Sequence, residues 1–304
     1  MEEHQLIIVG GGPAGLTAGL YAARARLDVI MLESIAPGGQ LSKTYRMDNW
    51  PGDVEGISGF ELAERMQRHA QHFGLTIKSG TLEALTTDGK DKILTTDQGQ
   101  YRAKAVLIAT GANPATLNIP GETLLTGKGV SYCATCDGPF YRDQAVAVVG
   151  GGDTAVEEAI YLTRFASRVM LIHRRDELRA TQILQEELLA HKVEKILSTI
   201  ALAVEGDEQV VGVKVLDLKT NQEKSIPLHG VFIFVGTNPQ TSFIAPALDK
   251  NEQGFIITDQ GLHTSLPGVF AAGDCRQSYL KQVVTAAGEG ALATHMAQKY
   301  LELK

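Results

Sequence analysis

Residues 5–15 read Gln5-Leu6-Ile7-Ile8-Val9-Gly10-Gly11-Gly12-Pro13-Ala14-Gly15, and the architecture follows from them. The apolar run Leu6–Val9 stops abruptly on glycine. Leu16, Leu20 and Ala23 then recur at helical spacing. The pattern predicts a buried strand, a tight glycine turn and a helix over Leu16–Arg26. A second apolar strand, Asp28–Leu32, follows and ends on Glu33. Strand, glycine turn, helix and strand is the setting in which Gly-x-Gly-x-x-Gly binds a dinucleotide. Gly10, Gly12 and Gly15 permit the turn and a close backbone approach to pyrophosphate, and the helix start offers free N–H groups. An acid about 20 residues on accepts hydrogen bonds from ribose hydroxyls, the role expected of Glu33.

The chain carries this template twice. A strand over Ala145–Val149 runs into Gly150-Gly151-Gly152-Asp153-Thr154-Ala155, then a helix to about Phe165 and a strand over Val169–Ile172. A constant shift of 140 takes Gly10 to Gly150, Gly12 to Gly152, Gly15 to Ala155 and Glu33 to His173. The last pair differs in chemistry. The first copy ends in an acid, suited to an unphosphorylated ribose. The second ends in His173-Arg174-Arg175, with Arg179 one helical turn later, and arginines pair with a 2′-phosphate where an acid would repel it. NADPH is expected at the second site in preference to NADH; a solvated basic helix start is the competing reading.

With 304 residues the chain is long for one ordinary core and fits two domains. Ala105–Ala109 and Gly230–Val235 both look like strands ending in glycine–proline turns, at Thr110–Pro114 and Gly236–Pro239. They divide the chain into a discontinuous domain, 1–113 with 241–304, and an inserted domain, 114–240. The fold class is α/β: two Rossmann-like dinucleotide-binding domains of the three-layer ββα type, the second inserted into the first. Gly268–Asp274 is a further strand and turn, and Gln282 to about Leu303 a closing helix. His69 and His72 fall on an amphipathic helix and are expected at the surface. The net charge of -7 gives no support to nucleic-acid binding. No run approaches the ~18 apolar residues of a membrane span, and no signal segment precedes Leu6. A cytoplasmic protein is expected.

Only three cysteines occur: Cys133, Cys136 and Cys275. Cys133-Ala134-Thr135-Cys136 closes a small disulfide ring readily, and one thiol of such a pair is easily acidified. Half a zinc site is the alternative. Zinc needs further ligands, and no second Cys pair or suitably spaced His follows, so no metal is expected. Cys275 has no sequence partner and reads as a small buried hydrophobe. Two dinucleotide sites and a Cys pair suggest an electron chain in which a flavin at the first site mediates between nicotinamide and disulfide.

These features resemble the low-molecular-weight thioredoxin reductases nearly end to end. The resemblance is carried by Gly10–Gly15, Pro37-Gly38-Gly39-Gln40-Leu41, Asn49-Trp50-Pro51-Gly52, Cys133–Asp137, Gly150–Ala155, His173-Arg174-Arg175, and Gly273-Asp274 with Gln282–Ala286. It implies FAD held by Gly10, Gly12, Pro13, Ala14, Gly15, Glu33, Gly38, Gly39, Gln40, Leu41, Asn49, Asp274, Lys281, Gln282 and Val283. It implies NADPH held by Gly150, Gly152, Asp153, Thr154, Ala155, His173, Arg174, Arg175 and Arg179. Hydride would pass from NADPH to FAD, then to the Cys133–Cys136 disulfide, then to thioredoxin. Cys136 would face the flavin, Cys133 would attack thioredoxin, and Asp137 would be their acid–base partner, although from spacing alone Asp137 could equally be a surface cap. A homodimer is implied. Lys281 stands where many relatives have Arg, and Cys275 where an aliphatic residue is frequent. Asp153 stands where Asn is also common; it is expected to cap its own helix and so avoid the pyrophosphate.

The Cys pair lies in the inserted domain, yet nicotinamide and disulfide must each reach one flavin. A hinge near 112–117 and 236–241 is therefore expected, with rotation between half-reactions. The same frame could serve another thiol protein, or a non-catalytic redox sensor.

Overall fold

The structure, a computed structural model, describes residues 1–44, 47, 49–53, 55–243 and 248–302. Strands β1 (Glu2–Val9) and β2 (Val29–Glu33) run parallel and are joined by α1 (Pro13–Arg24). The helix starts at Pro13 rather than Leu16 because proline's fixed φ suits the first helical position, where no N–H is needed. Helix α2 (Gly59–His72) opens on Ser58, whose hydroxyl accepts the Glu61 N–H at 3.1 Å. His69 and His72 are exposed on it. Then come β3 (Thr76–Ser79), parallel to β2, and the hairpin β4 (Leu82–Asp88) and β5 (Asp91–Thr96). Strand β6 (Gly99–Ile108) pairs antiparallel with β5 and parallel with β1. The short β7 (Ala112–Pro114) leads out.

The chain divides into two compact units, Met1–Asn113 with Asn238–Lys304, and Pro114–Thr237. The return boundary falls between 237 and 238, not between 240 and 241. Within the inserted unit lie β8 (Val130–Ser131), α3 (Ala134–Asp137), β9 (Ala145–Gly150), α4 (Asp153–Leu162), β10 (Arg168–Ile172), α5 (Gln182–Ala190) and β11 (Val193–Ile196). Three antiparallel strands follow, β12 (Thr199–Glu205), β13 (Gly212–Asp217) and β14 (Gln222–Pro227), then β15 (Gly230–Phe234). The parallel sheet has the order β11-β10-β9-β15-β8.

The returning chain supplies β16 (Thr237–Pro239), which pairs with β7, then β17 (Val269–Ala271) and α6 (Val283–Glu302). Strand β17 lies parallel to residues 106–108 of β6. The expected end of α6 at Leu303 lies outside the described residues.

Alternation along the central strands builds the same three layers in each unit. Leu6 and Ile8 of β1 pack with α1 and α6, while Ile7 and Val9 face Leu82, Leu85 and Leu94 of the hairpin. In the inserted unit Val146 and Val148 pack with α4, while Ala147 and Val149 face Val213 and Val215 of the antiparallel strands. The shift of 140 thus preserves the face of each residue as well as the loop. The fold is α/β, with parallel strands of Rossmann type at the centre of each unit and the antiparallel β4–β5 hairpin continuing the first sheet. Among the described residues no helix is long and apolar enough to cross a membrane.

Candidate functional site

The first glycine loop is fixed by close backbone contacts. Gly10 has φ +103°, and a Cβ there would meet the Ala109 carbonyl oxygen at 2.4 Å. A Cβ on Gly15 would come to 1.9 Å from the Gly10 oxygen. At Gly12 a Cβ would meet nothing within 4 Å, so the loop presents open backbone there. No side chain caps α1, and its first turn holds no acid. These are the features an anion needs at a helix start. Glu33 at the end of β2 accepts the Gly11 N–H at 2.6 Å and the Ile35 N–H at 3.0 Å. It therefore buttresses the loop it was expected to complement.

Some other residues of the first set touch this loop, and others meet one another. The Gly38 N–H donates to the Gly11 oxygen at 2.7 Å, and a Cβ on Gly39 would lie 3.3 Å from Gly12 Cα. Gln40 donates to Asn113. Asn49 donates to the Gln282 side chain at 3.1 Å across 233 residues of sequence. Leu41 is buried in a small apolar cluster against which Val283 packs. Gly273 abuts Ala14 of α1, which brings the Asp274 turn to the helix start. Burial pushes the Asp274 carboxyl up, Lys281 pulls it down and Glu289 pushes it up. Lys281 lies with Nζ 3.7 Å from the centre of the Phe255 ring, and burial lowers its pKa, with Asp274 acting the other way. Sequence reasoning missed Glu289, which accepts the Gly273 N–H at 2.8 Å and pairs with Arg276 at 2.6 Å. Cys275 is fully buried, and burial pushes its thiol up to about 11.

The second loop is built differently. Gly150 stays outside the left-handed region that Gly10 adopts, and Ala155 fits where Gly15 is required. The His173 ring covers Gly151, where a Cβ would meet Nδ1 at 2.2 Å. His173 is buried and its Nε2 has no hydrogen-bond partner among the described residues. Burial lowers its pKa; the Gly150 backbone acts the other way, and Arg179, Arg175 and Arg174 lower it further. These arginines do not lie on a helical turn. Residues 174–181 are irregular, and the segment is tied back to the loop by the Arg179 N–H, 2.7 Å from the Gly151 oxygen. All three guanidiniums are exposed, without an ion pair among the described residues. Asp153 does not cap α4. Its carboxylate accepts the Thr181 N–H at 2.7 Å, just before α5, because Thr181 is brought alongside by the same irregular segment.

Cys133 and Cys136 are joined in a disulfide, with Cα atoms 5.3 Å apart, across the turn that opens α3. Cys133 Sγ accepts the Cys136 N–H at 3.2 Å and lies 3.3 Å from the Thr135 hydroxyl. Ser131 Oγ accepts the Cys133 N–H at 3.1 Å. Asp137 is half-buried, not a surface cap; burial raises its carboxyl and a Ser131 hydrogen bond lowers it. Tyr141 is pushed up to about 12 by burial and by Asp137. Glu158 was also missed. Its signal is positional: it falls with Ala155, Ala159 and Leu162 on the apolar stripe of α4, at i, i+3, i+4 and i+7. Among the described residues no cluster of three or more His, Cys, Asp or Glu could hold a metal ion.

The sequence profile of the pyridine nucleotide-disulphide oxidoreductase family matches residues 4–290. A thioredoxin reductase of Listeria monocytogenes is 44% identical over 302 residues, covering 98% of this chain and 94% of that protein. The crystal structure of thioredoxin reductase from Streptococcus pyogenes is 45% identical and covers 99% of both chains with a TM-score of 0.94. Thioredoxin reductase from Giardia duodenalis is 35% identical, with the same TM-score over 99% of this chain and 100% of that one.

Proposed function

We propose that this chain, which belongs to the pyridine nucleotide-disulphide oxidoreductase family, is an NADPH-dependent thioredoxin-disulfide reductase. The reading rests on the Cys133–Cys136 disulfide, carried by the same unit as an arginine-rimmed glycine loop. FAD is assigned to the loop Gly10–Gly15 with Glu33, Gly38, Gly39, Gln40, Leu41, Asn49, Asp274, Lys281, Gln282 and Val283. The open backbone at Gly12, the uncapped start of α1 and the convergence of Asn49 with Gln282 fit it. NADPH is assigned to Gly150, Gly152, Asp153, Thr154, Ala155, His173, Arg174, Arg175 and Arg179. The buried Nε2 of His173 and the three guanidiniums, without partners among the described residues, fit a phosphorylated ribose. Bound flavin would supply what no side chain can, accepting hydride from nicotinamide and giving an electron pair to a disulfide.

The cysteines then do the exchange. Cys133 as thiolate attacks one sulfur of the thioredoxin disulfide and releases the other as thiolate. Cys136 as thiolate attacks Cys133 Sγ in the mixed disulfide, re-forming the Cys133–Cys136 bond and freeing the second thioredoxin sulfur. Two electrons leave the pair. Asp137 takes the proton from the attacking thiol and returns it to the leaving thiolate; burial raises its carboxyl, so it holds a proton more readily than an exposed aspartate. The inserted unit rotates between half-reactions about the segments near 112–117 and 236–241, with Gly111 at φ +70° just before the first and Gly236 at φ +138° opening the second. The working form is a homodimer.

The test is NADPH oxidation by the purified flavoprotein, with and without thioredoxin and insulin disulfide, beside Cys133→Ser and Cys136→Ser. Turnover that needs thioredoxin and is lost in both variants is expected. Flavin reduced by NADPH but indifferent to thioredoxin would move the partner to another disulfide protein. Flavin untouched by NADPH would overturn the second nucleotide site.

A further inference from the structure

Glu158 is a carboxylic acid on an otherwise apolar stripe. Its Oε2 is buried without a hydrogen-bond partner among the described residues; Ala134, the residue after Cys133, packs with Ala155 and Ala159, the neighbours of Glu158 on that stripe, and its backbone N–H draws the Glu158 carboxyl down. Glu158 also lines a cavity of about 270 Å³ with Thr135, Glu157, Tyr161, Arg164 and Glu187. Thr135 is the residue whose hydroxyl lies 3.3 Å from Cys133 Sγ. An aliphatic residue would fill the stripe without the cost of an unsatisfied buried oxygen. The acid is therefore held against the redox turn from two sides, through Ala134 and through the cavity it shares with Thr135.

Resting on the assignment of Cys133 and Cys136 as the redox pair, we propose that Glu158 is a positioning residue of that turn, whose charge state sets the acidity of the Cys133 thiol. Burial, and Glu157 beside it, push the Glu158 carboxyl up to about 7, against the Ala134 N–H. Below that pH the group is neutral. Above it, a carboxylate on the turn opposes a thiolate on Cys133 and keeps the thiol pKa nearer the working pH, where an attacking thiol is most effective. The other charged groups are few. Glu157 is on α4, Arg164 follows it with its guanidinium over the Tyr161 ring, Glu187 comes from α5 and Asp137 ends the Cys turn. Strands β9, β10 and β15 meet α4 with apolar residues, among them Val146, Val148, Leu171 and Phe232.

The experiment follows the alkylation of Cys133 by iodoacetamide in the flavin-loaded Cys136→Ser protein, by mass spectrometry, across the pH range. A profile with a thiol midpoint and a second inflection near pH 7 is expected. Adding Glu158→Gln should remove the inflection, lower the thiol midpoint and raise the rate at neutral pH by roughly threefold to tenfold. Glu158→Asp should restore part of the parent profile, and Glu157→Gln should retain the inflection. A Glu158→Gln profile superimposable on the parent overturns the proposal.

Should Glu158→Gln fail to fold, Ala134→Pro provides the second test. Ala134 is the first residue of α3 and Cys133 has φ -149° and ψ 102°, a backbone that tolerates a following proline. Loss of the N–H should move the inflection upward, and an unmoved inflection overturns the proposal. Thioredoxin turnover by the unmodified enzyme separates the two assignments. A shifted alkylation profile without turnover would withdraw the activity and leave Glu158 in place; turnover with an unshifted profile would do the reverse.

Discussion

Replacing Gly15 by Ala should damage the first nucleotide loop far more than the reverse change, Ala155→Gly, damages the second. Gly10 at φ +103° directs its carbonyl at the start of α1, and a Cβ on residue 15 would sit 1.9 Å from that oxygen. The obstacle is backbone and must retreat by about 1 Å. Gly10 has no room to give, since its own Cβ position is 2.4 Å from the Ala109 oxygen. Overpacking costs about 1–3 kcal/mol, and a rigid backbone obstacle places this site at the upper end. At roughly 2–4 °C per kcal/mol for a unit of this size, Tm should fall by about 5–10 °C. The same displacement moves the N–H groups proposed to hold the flavin pyrophosphate, so flavin affinity should drop by about tenfold or more. Ala155→Gly removes only a methyl near a helix start, worth about 1 kcal/mol, and should leave the KM for NADPH unchanged. The assay is the flavin-to-protein absorbance ratio after gel filtration, with thermal melts of both variants. A Gly15→Ala protein with full flavin and an unmoved Tm would refute the steric reasoning, as would an Ala155→Gly protein harmed equally.

The double variant Arg174→Ala with Arg175→Ala should raise the KM for NADPH by about 100-fold or more, since charge-assisted hydrogen bonds contribute about 1.5–3 kcal/mol each and every 1.4 kcal/mol is about tenfold. The KM for NADH should change little, and steady-state kinetics with both nucleotides would reveal an equal effect if the assignment were wrong. Glu158, raised in the fold to about 7 from 4.5, binds more protons folded than unfolded between those values. Its contribution to stability is thus fully present below about 4.5 and lost as pH rises through about 7. Denaturant melts should show Glu158→Gln gaining about 1–2 kcal/mol on the parent between acid and mildly alkaline pH, a figure discounted for partial exposure; a constant difference would count against the buried acid. Cys275→Ala should keep turnover and cost about 1 kcal/mol of stability. In the native protein this thiol, pushed up to about 11, should resist iodoacetamide.

Local pattern carried much of the architecture. Four apolar residues stopped by glycine and followed by helical spacing identify each strand, turn and helix, because backbone conformation and burial period are properties of neighbouring residues. The repeat of that pattern 140 residues later, and the contrast of Glu33 with His173-Arg174-Arg175, were equally visible. So was the Cys pair, whose spacing alone permits the bond. The partners of the side chains were not legible. Asn49 meets Gln282, Gly273 brings Asp274 to Ala14, and Asp153 leaves its own helix to hold the Thr181 N–H. Each depends on where a distant segment is packed, and no periodicity encodes that. The arginines are exposed but lack the helical turn expected of them, since the Gly151 oxygen captures the Arg179 N–H. Glu158 makes the same point. Its place on the apolar stripe could be read from one helix, but its meaning came from the packing of Ala134 beside Ala155 and Ala159 and from the cavity it shares with Thr135. Sequence fixes short-range geometry because a residue's neighbours along the chain are always present; solvation, charge and long-range hydrogen bonding wait until folding selects which remote groups share a site.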